Sequence, residues 1–161
     1  ARADARVLGM VGAGHQAGFQ MRAALAQRDF DRVVAWNLHP EMLDRLAGVA
    51  AEEGVPFEAV ELDRLGAEAD VIITITSSFA PILKRCHVIE ADCQHAVAAG
   101  LISREDIGEI GAVVAGALAG RRSADDITLF DGTGVALQDL AGAARVVELA
   151  RDTGPLVTVD L

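Results

Sequence analysis

A chain of 161 residues that is 52% hydrophobic, with 16 glycines and 4 prolines, is long enough to bury one sizeable core and too short for two ordinary domains. Its formal net charge of -10 opposes binding to nucleic acid, which needs Lys and Arg gathered on one face to displace counterions; here only Lys84-Arg85 and Arg121-Arg122 are adjacent. The longest apolar runs, Val71 to Ile75 and Val113 to Leu118, stop well short of the ~20 residues of a membrane span, so no membrane partner is expected. No secretory signal opens the chain at Ala1-Arg2-Ala3-Asp4, and a start at Ala is expected where the natural N-terminus lies upstream. Cys86 and Cys93 form neither a CxxC pair nor a disulfide framework. The expectation is a soluble, cytoplasmic protein.

In chain order, Arg6 to Val11 reads as a short apolar strand that ends in the turn Gly12-Ala13-Gly14. A helix follows from about His15 to Arg28, with Ala17, Met21, Ala24 and Leu25 at helical spacing on one face. Arg32 to Trp36 is the second strand, and the turn Asn37-Leu38-His39-Pro40 leads to a helix that starts at Pro40, carries Met42, Leu46, Val49 and Ala50 inward, and closes at Gly54 and Pro56. Phe57 to Val60 is the third strand. After a short helix, Asp70 to Thr76 reads as a central strand covered on both faces, because its β-branched run shows little alternation.

Such alternation predicts an α/β fold: a doubly wound, Rossmann-type parallel sheet with helices on both faces. Beyond Pro81, Val88 to Ala91 is a candidate strand and Asp92 to Ala99 a short helix ended by Gly100. Ser103 and Asp106 form a capping pair, Ile127 to Phe130 is a short strand, Val135 to Ala150 a helix, and Leu156 to Leu161 a terminal strand.

Gly12-x-Gly14-x-x-Ala17 matches the dinucleotide-binding fingerprint in the context that gives it meaning, between a strand and a helix. The first glycine permits the tight turn, the second lets a pyrophosphate approach the backbone, and the small third residue lets helix and strand pack closely. The helix N-terminus offers amide groups and a positive dipole end to the anion.

NAD-specific sites usually place a carboxylate at the end of the second strand, where it holds the ribose hydroxyls and repels a 2′-phosphate. Asn37 occupies that position, and the nearby His39 can donate to a phosphate, so the cofactor is NADP or NAD with NADP favoured. Thr74, Thr76, Ser77 and Ser78 stand at the carboxyl edge of the fourth strand, where ligands of such sheets bind. Cys86, His87, Cys93 and His95 lack the paired spacing of a metal site, and none is predicted. Trp36 reads as packing, and Asp125-Asp126 and Glu52-Glu53 as solvated faces.

With these residues in hand, the sequence resembles the ornithine cyclodeaminase and mu-crystallin family, which includes alanine dehydrogenases and ketimine or cyclic-imine reductases. Three stretches carry the resemblance: Gly12-Ala13-Gly14-His15-Gln16-Ala17, the more specific Asp126-Ile127-Thr128-Leu129-Phe130-Asp131-Gly132-Thr133-Gly134-Val135-Ala136-Leu137-Gln138-Asp139, and Cys93-Gln94-His95-Ala96-Val97-Ala98-Ala99-Gly100-Leu101-Ile102. The resemblance implies that Gly12 to Ala17, the turn Asn37-Leu38-His39, and Thr74 to Ser78 hold the nicotinamide dinucleotide, with Gly132 and Thr133 near its nicotinamide end. It implies hydride transfer on a small amino-acid or imino-acid substrate, such as conversion of ornithine to proline with release of ammonia, or imine reduction.

A homodimer built through a second domain is also implied, and residues 134–161 are expected to pack against that domain. The alternative within the family is a non-catalytic, mu-crystallin-like module that only binds NADPH. This sequence departs from the family between Pro81 and Val88, where a Pro-Gly-x-His stretch and a Gly-x-Asp-x-x-Gly-Lys-x-Glu segment are missing. In cyclodeaminases that segment supplies the aspartate that acts as catalytic acid or base. Asp92 matches a later family position and does not inherit the role, so no catalytic residue is assigned.

Overall fold

The structure is a computed structural model that describes residues 1–78, 82–83, 97–98, 100, 102–130, 132 and 136–153. Four parallel strands form its sheet: β1 (Val7–Val11), β2 (Arg32–Trp36), β3 (Phe57–Ala59) and β4 (Val71–Thr74), in the order β3-β2-β1-β4. Val7 pairs with Arg32 and Val11 with Trp36 on one side of β1, and Leu8 pairs with Val71 and Val11 with Thr74 on the other.

Alternation along β1 and β2 sends side chains to two separate cores. Leu8 and Met10 of β1 and Val33 and Ala35 of β2 join a cluster with Ala17 and Met21 of α1 (Ala17–Gln27) and with Leu43, Leu46, Val49 and Ala50 of α2 (Leu43–Glu52). Val11 and Val34 point the other way and meet Val60 and Leu65, the latter from α3 (Leu62–Glu68). Helices therefore cover both faces, as the sequence predicts. Gly9 makes the second face possible: a Cβ there would lie 2.8 Å from that of Ala69, just past α3. Trp36 is half-buried against this second cluster.

Asp70 fixes the lower end of the β1–β4 pair. Its Oδ2 accepts from the backbone N–H groups of Arg6 at 2.8 Å and Val7 at 3.0 Å, while Arg2 forms an ion pair with Oδ1. Partial burial pushes the carboxyl upward, but the two backbone bonds and the charge of Arg2 outweigh it and hold the group below its ordinary value.

Several expectations need correction. The first helix begins at Ala17, because residues 14–16 are still part of the turn. Pro40 opens a 3₁₀ turn, Pro40–Met42, before α2, so the phase of the helix puts Leu43 in the core and leaves Met42 exposed. β4 is shorter than expected and only half-buried at Val71, Ile72 and Ile73, since among the described residues it pairs on one side alone. Ile127 to Phe130 is not a strand: it has no ladder partner among the described residues, and Ile127 and Phe130 are exposed.

The expected capping pair is present, with Ser103 and Asp106 bonding each other's backbone around the 3₁₀ turn Arg104–Asp106. A short helix follows at Ile110–Val114. The predicted strands at Val88 to Ala91 and Leu156 to Leu161, and most of the helix from Asp92 to Ala99, lie outside the described residues, as do Cys86, His87, Cys93 and His95. The chain divides into two compact units, Ala1–Leu129 and Phe130–Leu161. The second holds the helix Ala136–Thr153, on which Leu140, Val146, Val147 and Leu149 are exposed. No helix among the described residues is long and apolar enough to cross a membrane.

Candidate dinucleotide site at the carboxyl edge of the sheet

The chain runs from β1 outward through β2 and β3, then returns to place β4 on the other side of β1. The crevice between β1 and β4 is therefore the topological switch point, where open α/β sheets bind ligands beyond the carboxyl ends of their strands. Gly12 and the segment from Thr74 to Ser78 border it.

Gly12 has φ +103°, and a Cβ on it would lie 2.4 Å from the Ile75 carbonyl oxygen and 2.9 Å from Thr76 Cγ2. No L side chain fits such a space. The turn must hug the end of β4, and its N–H donates to the Trp36 carbonyl at 2.9 Å. Gly14 differs, since a Cβ there would meet nothing within 4 Å. That opening leaves the backbone approachable from outside. Ala17 is fully buried against β1 and admits α1 close to the sheet.

Asn37 does more than end β2. Its Oδ1 accepts from the Ala13 N–H at 3.1 Å, and its Nδ2 donates to the His39 carbonyl at 2.9 Å. The side chain thus ties the glycine turn to the turn after β2. Leu38 and His39 are exposed beside it, and Glu41 Oε1 lies 3.8 Å from His39 Nδ1. Among the described residues, no acceptor bonds the N–H of Gly14, His15 or Gln16. Three amides at a helix start, next to an open glycine, are what an oxygen anion requires.

Thr74, Thr76 and Ser77 are exposed at the end of β4, with Thr76 Oγ1 accepting from the Ser78 N–H at 3.3 Å. Gly12, Ala13, Gly14, His15, Gln16, Ala17, Asn37, Leu38, His39, Thr74, Thr76 and Ser77 thus lie together along one edge of one unit. Gly132 belongs to the second unit, and Thr133 lies outside the described residues.

Sequence reasoning missed Arg45 of α2. Its Nη2 donates to the carbonyl oxygens of Ala13, at 2.8 Å, and of Gly14. One signal was available: it is the single Lys or Arg between Arg32 and Arg64. Asp126, read as part of a solvated face, organises a turn. Its carboxylate accepts from the Ser123 hydroxyl and from the backbone N–H groups of Arg122 and Ser123, which hold it down to about 2.

The fold is shared with known proteins. The sequence profile of the ornithine cyclodeaminase/mu-crystallin family matches residues 1–103 and 82–154. The chain belongs to that family. Among relatives in the ornithine cyclodeaminase/mu-crystallin family, the iminosuccinate reductase of Paracoccus denitrificans is 51% identical over 195 residues, covering 98% of this chain and 61% of the relative. Its crystal structure in complex with NAD+ superposes with a TM-score of 0.85 over 94% of this chain and 59% of that one.

An archaeal alanine dehydrogenase dimer with bound NAD is 26% identical, with a TM-score of 0.82 over 98% of this chain and 62% of that one. A Δ1-pyrroline-2-carboxylate reductase of Bacillus cereus is 28% identical over 96% of this chain and 60% of the relative. The chain therefore spans about three fifths of the length of these family members. The match to the Paracoccus reductase extends over 195 residues, more than the 161 of this chain, so that relative holds residues opposite a gap here.

Proposed function

We propose that this chain is the nicotinamide-dinucleotide-binding portion of an enzyme that transfers hydride to or from an amino or imino acid. The observation that carries the reading is the open Gly14 at the β1–β4 switch point, with the N–H groups of residues 14–16 that no acceptor bonds among the described residues. These groups fit the pyrophosphate of a dinucleotide, which when bound supplies hydride-transfer chemistry. The relatives named as imine reductases and alanine dehydrogenase support imine reduction, or its reverse, as the reaction class; cyclodeamination of ornithine is its redox-neutral variant.

In this reading Gly12 to Ala17 form the phosphate cradle, Asn37, Leu38 and His39 border the adenosine ribose, and Thr74, Thr76 and Ser77 line the path toward the nicotinamide. Neutral Asn37 leaves room for a 2′-phosphate, which favours NADP(H), whereas Glu41 beside His39 and the NAD complexes of two relatives favour NAD(H). The working protein is a cytoplasmic homodimer. Residues 134–161 pack against a second domain, a role supported by the exposed apolar residues of the helix Ala136–Thr153.

A second reading, a binding module without turnover, is favoured by the residues that the Paracoccus relative holds and this chain lacks, together with the missing aspartate segment. Titration with NADPH and NADH, followed by cofactor fluorescence, tests both in the wild type and in Gly14→Trp. Binding that is lost in the variant supports the site, and the tighter ligand names the cofactor. Failure of both ligands to bind the wild type refutes it. Cofactor turnover with amino or imino acids separates enzyme from module.

A further inference from the structure

The Arg45 guanidinium reaches from α2 to the glycine turn and donates to two successive carbonyls, those of Ala13 and Gly14. In a trans peptide the N–H points opposite to the C=O of the same plane. Holding the Ala13 carbonyl therefore fixes the direction of the Gly14 N–H, and holding the Gly14 carbonyl fixes that of His15. Those are two of the three amides with no acceptor among the described residues. Asn37 holds the Ala13 N–H, and the Trp36 carbonyl holds that of Gly12. The Ala13–Gly14 plane is held at its carbonyl by Arg45, and the Gly14–His15 plane at its carbonyl by Arg45 together with the Ala17 N–H at 3.1 Å, which leaves the N–H groups of Gly14 and His15 clear for an anion.

We infer that Arg45 is a positioning residue: it sets the cradle's amides from behind and places a fixed positive charge beside it, in a chain whose formal net charge of -10 otherwise repels phosphate. Arg45 is exposed and outside both hydrophobic clusters, so its grip on the turn adds nothing to the apolar core. The inference rests on the dinucleotide reading above.

The test uses the full chain and measures Kd for NADH and for ADP-ribose, together with the melting temperature of the free protein, in wild type, Arg45→Met and Arg45→Lys. Arg45→Met is expected to raise both Kd values by about tenfold, through loss of charge-assisted hydrogen bonds that orient the turn. Melting should stay within a few degrees of wild type. Arg45→Lys, which keeps the charge and can still donate to the carbonyls, should recover most of the affinity. Three results would overturn the inference: Kd within twofold of wild type in Arg45→Met, a loss that Lys does not recover, or a loss matched by a collapse in melting temperature. If the wild type binds neither ligand, the dinucleotide reading itself falls and takes the role of Arg45 with it.

Discussion

Replacing Gly12 or Gly14 by alanine adds the same methyl group two residues apart, yet the consequences should be opposite. At position 12 the positive φ costs an L residue about 1–2 kcal/mol. The added Cβ must also clear backbone, with the Ile75 oxygen at 2.4 Å and the Ile75 carbonyl carbon at 2.9 Å. Because neither atom is the end of a flexible side chain, the β1–β4 crevice has to open, at about 1–3 kcal/mol. Together these destabilise Gly12→Ala by roughly 2–5 kcal/mol, a fall in melting temperature of about 5–20 °C for a domain of this size.

At position 14 a Cβ meets nothing within 4 Å and φ is not positive. Gly14→Ala should melt at or slightly above the wild-type temperature, since alanine restricts the unfolded chain by about 0.4–1 kcal/mol. Its methyl projects into the space a pyrophosphate needs, so its affinity for a dinucleotide should drop while its stability holds. Thermal unfolding followed by far-ultraviolet circular dichroism, without ligand, reads both effects. A Gly12→Ala protein that melts within about 2 °C of wild type, or a Gly14→Ala protein destabilised as much as expected for Gly12→Ala, would refute the geometric argument.

Three further outcomes follow from other parts of the molecule. Asp70→Ala strands the N–H groups of Arg6 and Val7 and should cost about 1–3 kcal/mol in urea unfolding, with Asp70→Asn intermediate because an amide oxygen still accepts. The Asp126 carboxyl lies at about 2, below its ordinary 3.8, so its contribution to the turn is complete above about pH 4 and is lost as pH falls toward 2. NMR titration should place its midpoint there, and Ser123→Ala should raise it; a normal midpoint in the wild type would contradict the turn geometry. Leu46→Ala empties the cluster under α1 and α2 and should cost about 2–5 kcal/mol in the same urea assay, whereas Met42→Ala on the exposed side should change stability little.

The elements legible in the sequence are those whose periodicity is local. β2 has the bounds its Val-rich run predicts, and the buried Leu46, Val49 and Ala50 follow from helical spacing alone. Met42 is misplaced by the same spacing because one 3₁₀ turn after Pro40 shifts the helical phase, and composition does not distinguish a 3₁₀ start from an α start. The apolar Ile127 to Phe130 looks like a strand, but pairing is a tertiary matter and no partner meets it among the described residues. Gly12 and Gly14 are legible because a turn motif is contiguous. Arg45 is not, since its role depends on α2 folding back over a turn more than thirty positions earlier. Asn37 stands out by its position, while its actual bonds emerge only from the fold.

Those bonds limit how cofactor preference can be re-engineered. Introducing the ribose-holding acid by Asn37→Asp would keep an acceptor for the Ala13 amide but remove the donor to the His39 carbonyl, leaving two oxygens to repel each other. A change intended for the adenosine ribose would therefore disturb the phosphate turn as well, and evolution or a protein engineer working through that residue alters two functions at once. Leu38 and His39, whose exposed side chains hold no part of the glycine turn, are the places where one cofactor can be exchanged for the other without that entanglement.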